Sequence, residues 1–274
     1  MTVFRGLFGF LAATVAVIVL MGVSAVDAWA HGDVTCVGGS IASGTYETLH
    51  ISGACTVDAG SVTVENDVTV LPGASLVAIT GGNDTTVPSS NLTVGGSLHV
   101  QKNAILILGC EPVHFICAND PDQMTGTYFT RDRVAGNLDA DNALSVIVHL
   151  TVLSGGASLI GGGGGLTCAG LPAPFFFPPY GDFEDNLIVG NLTIKNWQSC
   201  YLAVIRDIIV DNLYYSDNVT LDPDGNEVVN NSIGQNWNCT GNSPSPQIGD
   251  SGGGPSTVFG HANGQCNSPL LVVH

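Results

Sequence analysis

Apolar and polar residues alternate in short runs along most of the chain. Tyr46-Glu-Thr-Leu-His-Ile51 alternates, Ser61-Val-Thr-Val64 and Asp67-Val-Thr-Val70 follow six residues apart, and Gly73-Ala-Ser-Leu-Val77 comes next. Thr69-Val-Leu-Pro-Gly-Ala-Ser-Leu76 returns in variant form as Thr93-Val-Gly-Gly-Ser-Leu98 and as Thr151-Val-Leu-Ser-Gly-Gly-Ala-Ser-Leu159. Residues 104–108, 192–195, 202–205, 208–210 and 219–221 are further pieces of this kind. A period of two predicts strands, and no helical period follows residue 30. Strands this short cannot each bury a core, but stacked coils would bury a continuous one. A β-sandwich also uses many short strands. The repeated phrases favour the solenoid. The expectation is an all-β, right-handed parallel β-helix over about residues 34–235, within a single domain of residues 31–274.

Val, Thr and Leu suit the pleated strands, and Gly and Asn suit corners that need positive φ. Asn191, Asn196, Asn212, Asn218, Asn231 and Asn236 recur near expected corners, where stacked side chains would form hydrogen-bonded ladders or act as ordinary turn residues. Two stretches interrupt the pattern and are expected as loop excursions, residues 109–143 and 161–185. The second contains the run of glycines 161–165 and then Pro174-Phe-Phe-Phe-Pro-Pro-Tyr180. Three consecutive phenylalanines cannot all point inward on an extended backbone. Phe175, Phe176, Phe177 and Tyr180 are therefore either a lid over a solenoid face or a projecting contact loop. Residues 238–274, rich in Gly, Ser, Pro and Asn, are expected as an irregular cap.

Before the alternation begins, Arg5 is the only charge ahead of a long apolar run, and Ala28-Trp29-Ala30 fits a cleavage site. Residues 1–30 are expected as a secretory signal, the alternative being a retained anchor. No later segment is long and apolar enough to span a membrane. The 274 residues carry 6 Lys and Arg against 23 Asp and Glu, a net charge of -17. Loss of Arg5 and Asp27 with the signal leaves that balance unchanged. So acidic a chain has no footprint for nucleic acid. Its eight cysteines, Cys36, Cys55, Cys110, Cys117, Cys168, Cys200, Cys239 and Cys266, all follow the signal. Their even number in an exported chain predicts disulfides. Neighbours along a solenoid pair locally, which favours Cys36–Cys55, Cys110–Cys117, Cys168–Cys200 and Cys239–Cys266. No C-x-x-C or H-x-x-x-H spacing supports zinc on these cysteines.

Several phrases together resemble a group of exported right-handed parallel β-helix proteins of the actinobacterial type. They are Thr35-Cys-Val-Gly-Gly39, Gly44-Thr-Tyr46, Gly53-Ala-Cys55, Val68-Thr-Val70, Gly73-Ala-Ser-Leu76, the glycines 161–165 with Thr167-Cys168, Phe183-Glu-Asp-Asn186 and Gln198-Ser-Cys200. Asp224-Gly-Asn-Glu-Val228, Asn238-Cys-Thr-Gly-Asn-Ser-Pro244 and Gly264-Gln-Cys266 complete the set. The resemblance spans most of the chain after the signal and implies a pectate-lyase-like fold and export. It implies no activity, although the wider fold includes polysaccharide lyases and hydrolases.

A hydrolase on this fold needs paired carboxylates. Asp207 and Asp211, beside Arg206, are the nearest local cluster, and Asp139 with Asp141 is an i, i+2 pair. There is no Asp-Asp, Gly-His-Gly or Arg-Ile-Lys, so solvated surface carboxylates are the simpler reading. A lyase of anionic glycans is disfavoured by the net charge. Asp217, Asn218, Asp222, Asp224, Asn226 and Glu227 lie within eleven residues. Such oxygen ligands suit Ca²⁺, but the order departs from an EF-hand loop, and an Asp-Gly turn explains the segment. His50, His99 and His149 occupy alternating strands at positions expected to face solvent. No Ser-His-Asp arrangement is legible. Sequons at Asn83, Asn91, Asn191, Asn218, Asn230 and Asn238 arise by chance in a chain rich in Asn and Thr. The functional expectation is a secreted, non-catalytic binding or structural protein of the cell envelope or exterior, contacting carbohydrate or an envelope component without a resident cofactor. The alternative is a carbohydrate-active enzyme. A groove lined by carboxylates and an aromatic platform would favour the enzyme, and a flat Thr/Val face the structural role.

Overall fold

The computed structural model describes residues 32–58, 60–79, 90–109, 132–249, 253–267 and 272–273. Every strand pairing among them is parallel. The strands form three long sheets, here I, II and III, of ten, eight and ten strands, plus a two-stranded sheet of Gln198–Ser199 and Val219–Thr220. The chain visits the long sheets in rotation: Thr48–Ile51 in I, Ala54–Thr56 in II, Gly60–Val64 in III, then Val68–Val70 in I again. This is a parallel β-helix, and the sandwich is excluded. Leu49 pairs with Val68, Leu192 with Leu213 and Leu213 with Trp237, so an uninterrupted coil takes about twenty residues.

Alternate residues of each strand point inward and stack in columns. In sheet I one column runs Leu49, Val68, Leu98, Leu138, Ala157, Leu192, Leu213, Trp237, each buried. These columns merge into one core extending from Ile41 to Cys266. Each fully buried Leu or Val contributes roughly 1.5–3 kcal/mol relative to exposure. The strands need each other because a single coil offers only half of each contact.

The corners explain the recurrence of Asn and Gly. After the strands of sheet I the chain turns through positive φ at Asn103, Asn142, Gly161, Asn196, Asp217 and Gly241. After sheet II it does so at Gly109, Leu150, Asp185, Arg206 and Asn230. Gly109 is required for space as well as φ, since a Cβ there would sit 1.7 Å from the His149 carbonyl oxygen. The residue after the sheet II corners at Asp185, Arg206 and Asn230 turns inward and caps the neighbouring coil. Asn186 Oδ1 accepts from Thr151 N (2.9 Å), Asp207 Oδ1 from Asn186 N (2.8 Å), and Asn231 Oδ1 from Asp207 N (2.9 Å). Asn218 and Asn242 do the same after sheet I, accepting from Trp197 N and Asn218 N. On the outside, Asn191 accepts from Asn212 N, and Asn212 from Asn236 N. The expected ladders therefore exist, and Asn196 contributes its backbone conformation. Each buried bond contributes about 0.5–1.5 kcal/mol, and an orphaned partner would cost more.

Three sequence-based boundaries need correction. Within 109–143, Arg133–Val134 and Leu138–Asp141 are strands of sheets III and I. Regular coil has resumed by residue 132, and residues 110–131 are outside those described. Within 161–185, Tyr180–Glu184 is an interior strand of sheet II, so the excursion ends at residue 179. Its Gly and two acids hide the strand, because only Phe183 needs to be apolar to fill the core. The stretch 238–274 is not an irregular cap throughout. Trp237–Thr240, Thr257–Val258, Ala262–Gly264 and Val272–Val273 extend sheets I and III. Trp237, Cys239 and Val258 suffice to fill that end of the core despite the polar composition. Disulfides join Cys36 to Cys55, Cys168 to Cys200 and Cys239 to Cys266, as expected. Cys110, Cys117 and residues 1–31, with the expected signal, lie outside the described residues. No helix among the described residues is long and apolar enough to cross a membrane.

Candidate functional site on the second sheet

The outward columns of sheet II change character along the solenoid. One runs Thr56, Val77, Ile107, Ile147 and then Asp182, Ala203, Glu227. The next pairs His149 with Glu184, followed by Ile205 and Val229. An apolar outer surface thus gives way to ionisable side chains at the strands Ser145–His149 and Tyr180–Glu184. All five residues of Ser145–His149 are buried, outward ones included.

The excursion before Tyr180 covers part of this surface. The Cys168–Cys200 disulfide ties its start to the chain just before Tyr201–Ile205. Leu171 N donates to the Phe177 carbonyl at 2.8 Å and closes its tip. Phe175 and Phe177 turn toward the sheet, whereas Phe176, at φ 58°, is 72% exposed. The loop is both a lid and a projecting tip. Phe175, Phe177, Tyr180 and Tyr201 form a chain of edge-to-face contacts, with ring centroids 5.6, 5.4 and 6.2 Å apart. Between the rings and the sheet lies a groove of about 410 Å³, floored by Val77, Ile107, Ile147 and His149 and walled by Pro174, Phe175, Phe177 and Tyr180.

A polar cluster begins where this groove meets His149. His149 Nε2 lies 3.1 Å from Asp182 Oδ2, with both residues buried (5% and 6% exposed). Asp182 Oδ1 is buried without a hydrogen-bond partner. One donor atom each from His149, Asp182 and Glu184 lies within 4.8 Å of the others. Arg206 Nη2 donates to Glu184 Oε2 at 2.7 Å, and its Nε and Nη2 hold Asp185 at 2.8 Å. Burial, reinforced by Asp182, pushes the Glu184 carboxyl up to about 7, against the lowering pull of His149 and Arg206. The Tyr201 hydroxyl donates to Glu227 Oε2 at 2.7 Å, and burial together with that bond raises its pKa.

The residues singled out in the sequence are placed differently. Arg206 joins the cluster through Glu184 and Asp185. Asp207 is not a solvated surface carboxylate. It is completely buried in the corner ladder, and desolvation holds its carboxyl well above the usual range. Its neighbours show why. Asn186 Nδ2 donates to Val148 O and Asn231 Nδ2 to Val204 O, both at 2.8 Å. Val148, Phe183 and Val204 are register partners. Asp207 Oδ2, at the place of those amide nitrogens, is buried without a hydrogen-bond partner, which disfavours its ionised form. Asp211 lies on the outside, accepting from Gln235 Nε2 at 2.8 Å, whereas Asp207 is in the interior. Asp139 is half-exposed beside His99, 3.7 Å away, and Asp141 bonds Asn142.

The calcium candidates also separate. Asp222 accepts from Asp224 N, and Gly225 N closes the turn on the Asp222 carbonyl. Asp224 meets Gln247, Glu227 meets Tyr201, Asn218 belongs to a corner ladder, and Asn226 accepts from the buried Tyr215 hydroxyl. Asp217 holds a positive-φ corner. The segment carries an Asp-Gly turn at residues 222–225.

His149 was expected to face solvent and is buried, unlike the half-exposed His50 and His99. Asp182 and Glu184 are not among the site residues read from the sequence, although Glu184 lies in the phrase Phe183-Glu-Asp-Asn186. The available signal was their i, i+2 spacing immediately after an aromatic, proline-flanked loop. Comparison with protein-family models, curated proteins and solved structures returns no match to this chain.

Proposed function

We propose that this chain is an exported β-helix protein that binds a neutral carbohydrate in the groove between sheet II and the aromatic loop. The groove and its acidic end carry this reading. Its volume falls in the range of small-ligand sites. Aromatic edges and an Ile floor suit the apolar faces of sugar rings, and Asp182, Glu184 and Tyr201 suit their hydroxyls. The net charge of -17 disfavours anionic glycans. Export is supported by the apolar N-terminal segment with its Ala28-Trp29-Ala30 site and by the disulfides. The sequence resemblance points to the right-handed, actinobacterial-type exported group.

A glycan array of neutral oligosaccharides tests the reading, followed by titration of any hit. Phe177→Ala is expected to weaken binding at least tenfold. An array without hits, or a hit unaffected by Phe177→Ala, rejects it. A polysaccharide hydrolase is the second reading, favoured by Asp182 and Glu184 facing one side of a strand at the groove's end. Release of new reducing ends from a bound glycan, lost in Asp182→Asn, would select it over simple binding.

A further inference from the structure

We propose that His149, Asp182 and Glu184 form a binding site for a single transition-metal ion of the zinc type at the polar end of the groove. Three facts meet there. The register of sheet II puts His149 beside Glu184 on neighbouring strands, with Asp182 two residues away on the same outer face. One ligand atom from each already lies within 4.8 Å of the others, and the His149 Nε2 to Asp182 Oδ2 separation is 3.1 Å. Tetrahedral zinc with bonds of about 2.0–2.2 Å brings its donors to roughly 3.4 Å apart, close to the separation already present between His149 and Asp182.

The second fact is independent of the cluster's charge. Asp182 Oδ1 is buried with no hydrogen-bond partner. A buried carboxylate oxygen without a donor is costly, and an ion would satisfy it. The third is the supporting shell. Arg206 holds Glu184 through Oε2 and is itself fixed by Asp185, leaving the other Glu184 oxygen for the ion. Ligating carboxylates are commonly oriented by such outer partners.

The imidazole selects the metal class, since calcium and magnesium prefer all-oxygen shells and zinc accepts nitrogen with carboxylate oxygen. Among the described residues the site offers three protein ligands, one nitrogen and two carboxylates, a set that zinc accepts. His149 also floors the groove, so an ion held by it would sit where a bound molecule ends. Metal binding goes beyond the carbohydrate reading, and its readouts need no glycan.

The test is calorimetric titration of zinc chloride into the full chain, stripped with chelator and with its disulfides intact. One equivalent is expected to bind, with calcium chloride binding far more weakly. Cobalt(II) chloride is expected to give the visible bands of a mixed nitrogen and oxygen site. Asp182→Asn and His149→Gln should each weaken zinc at least tenfold, whereas Asp222→Asn in the exposed turn should not. Absence of both zinc heat and cobalt bands in the wild-type chain overturns the site. So does wild-type affinity in both variants. Should the variants fail to fold, the His149 ring nitrogen resonances of the wild-type chain decide: a zinc-induced shift supports the site and its absence overturns it.

Discussion

The outer faces of sheets I and II are built on the same strand geometry and could hardly differ more in content. Along sheet I the outward column reads Thr35, His50, Thr69, His99, Asp139, Ser158, Thr193, Tyr214, Asn238. These side chains are half-exposed or exposed, and water satisfies their polar groups. Sheet II instead presents Val77, Ile107 and Ile147, then His149, Asp182 and Glu184, of which Ile147, His149 and Asp182 are buried and the others half-buried. A sheet that serves only as a wall needs one buried face. Burying the second face requires cover, and burying charge there requires partners. The aromatic loop and the Arg206 pairs meet those needs, which is why the groove and the cluster occur on sheet II.

The largest effects should fall on the shared interior, where the two sheets ought to behave alike. Phe183→Ala in sheet II is expected to cost roughly 3–5 kcal/mol and Leu159→Ala in sheet I roughly 2–5 kcal/mol, by urea unfolding with disulfides intact. A loss at Phe183 much below that at Leu159 would mean that sheet II does not share the core. The outer faces should then diverge. Ile147 is only 4% exposed, so Ile147→Ser is expected to cost about 1–3 kcal/mol, whereas Thr193→Ser on sheet I should stay within about 0.5 kcal/mol. Equal costs would erase the distinction between the faces.

Asp207 sharpens the comparison at the corner of sheet II. Its raised native pKa means that the folded chain keeps this proton to higher pH than the unfolded chain does. Stability from this group is complete below the ordinary carboxylate range and falls as pH rises through the native value. Asp207→Asn supplies an amide donor like those of Asn186 and Asn231 and cannot ionise. Its melting temperature, relative to wild type, is expected to rise steadily as the pH climbs above the ordinary carboxylate range. A constant difference would show that Asp207 titrates like an unfolded carboxyl. The smallest effect is expected at the loop tip. Phe176→Ser should leave the melting temperature nearly unchanged, while Phe177→Ser, which strips the groove wall, should lower it measurably.

Much of the architecture was legible because it is local. Thr48–Ile51 and Leu192–Lys195 read as strands because alternate residues must enter the core, whereas Tyr46, at the head of the same alternation, ends a strand of sheet III. Asn191, Asn212, Asn218, Asn231 and Asn236 read as corner residues, since the same turn recurs in each coil. Tyr180–Glu184 was missed because its outward Asp182 and Glu184 and inward Gly181 break the expected composition. The coils after Trp237 were missed because few apolar residues fill that narrow end.

The sequence by itself determined the period of two and the corner chemistry, and it favoured the local pairings Cys36–Cys55, Cys168–Cys200 and Cys239–Cys266 that the structure shows. Each depends on a residue and its near neighbours along the chain. Only the tertiary structure decided that His149 meets Asp182 across 33 residues, that Arg206 serves Glu184, and that Asp207 is buried inside a ladder. Those contacts depend on how many residues each coil consumes before it returns, and an excursion such as 161–179 changes that number without marking it locally. Burial of an outward side chain likewise depends on what lies over the sheet, and the residue's own identity does not reveal it.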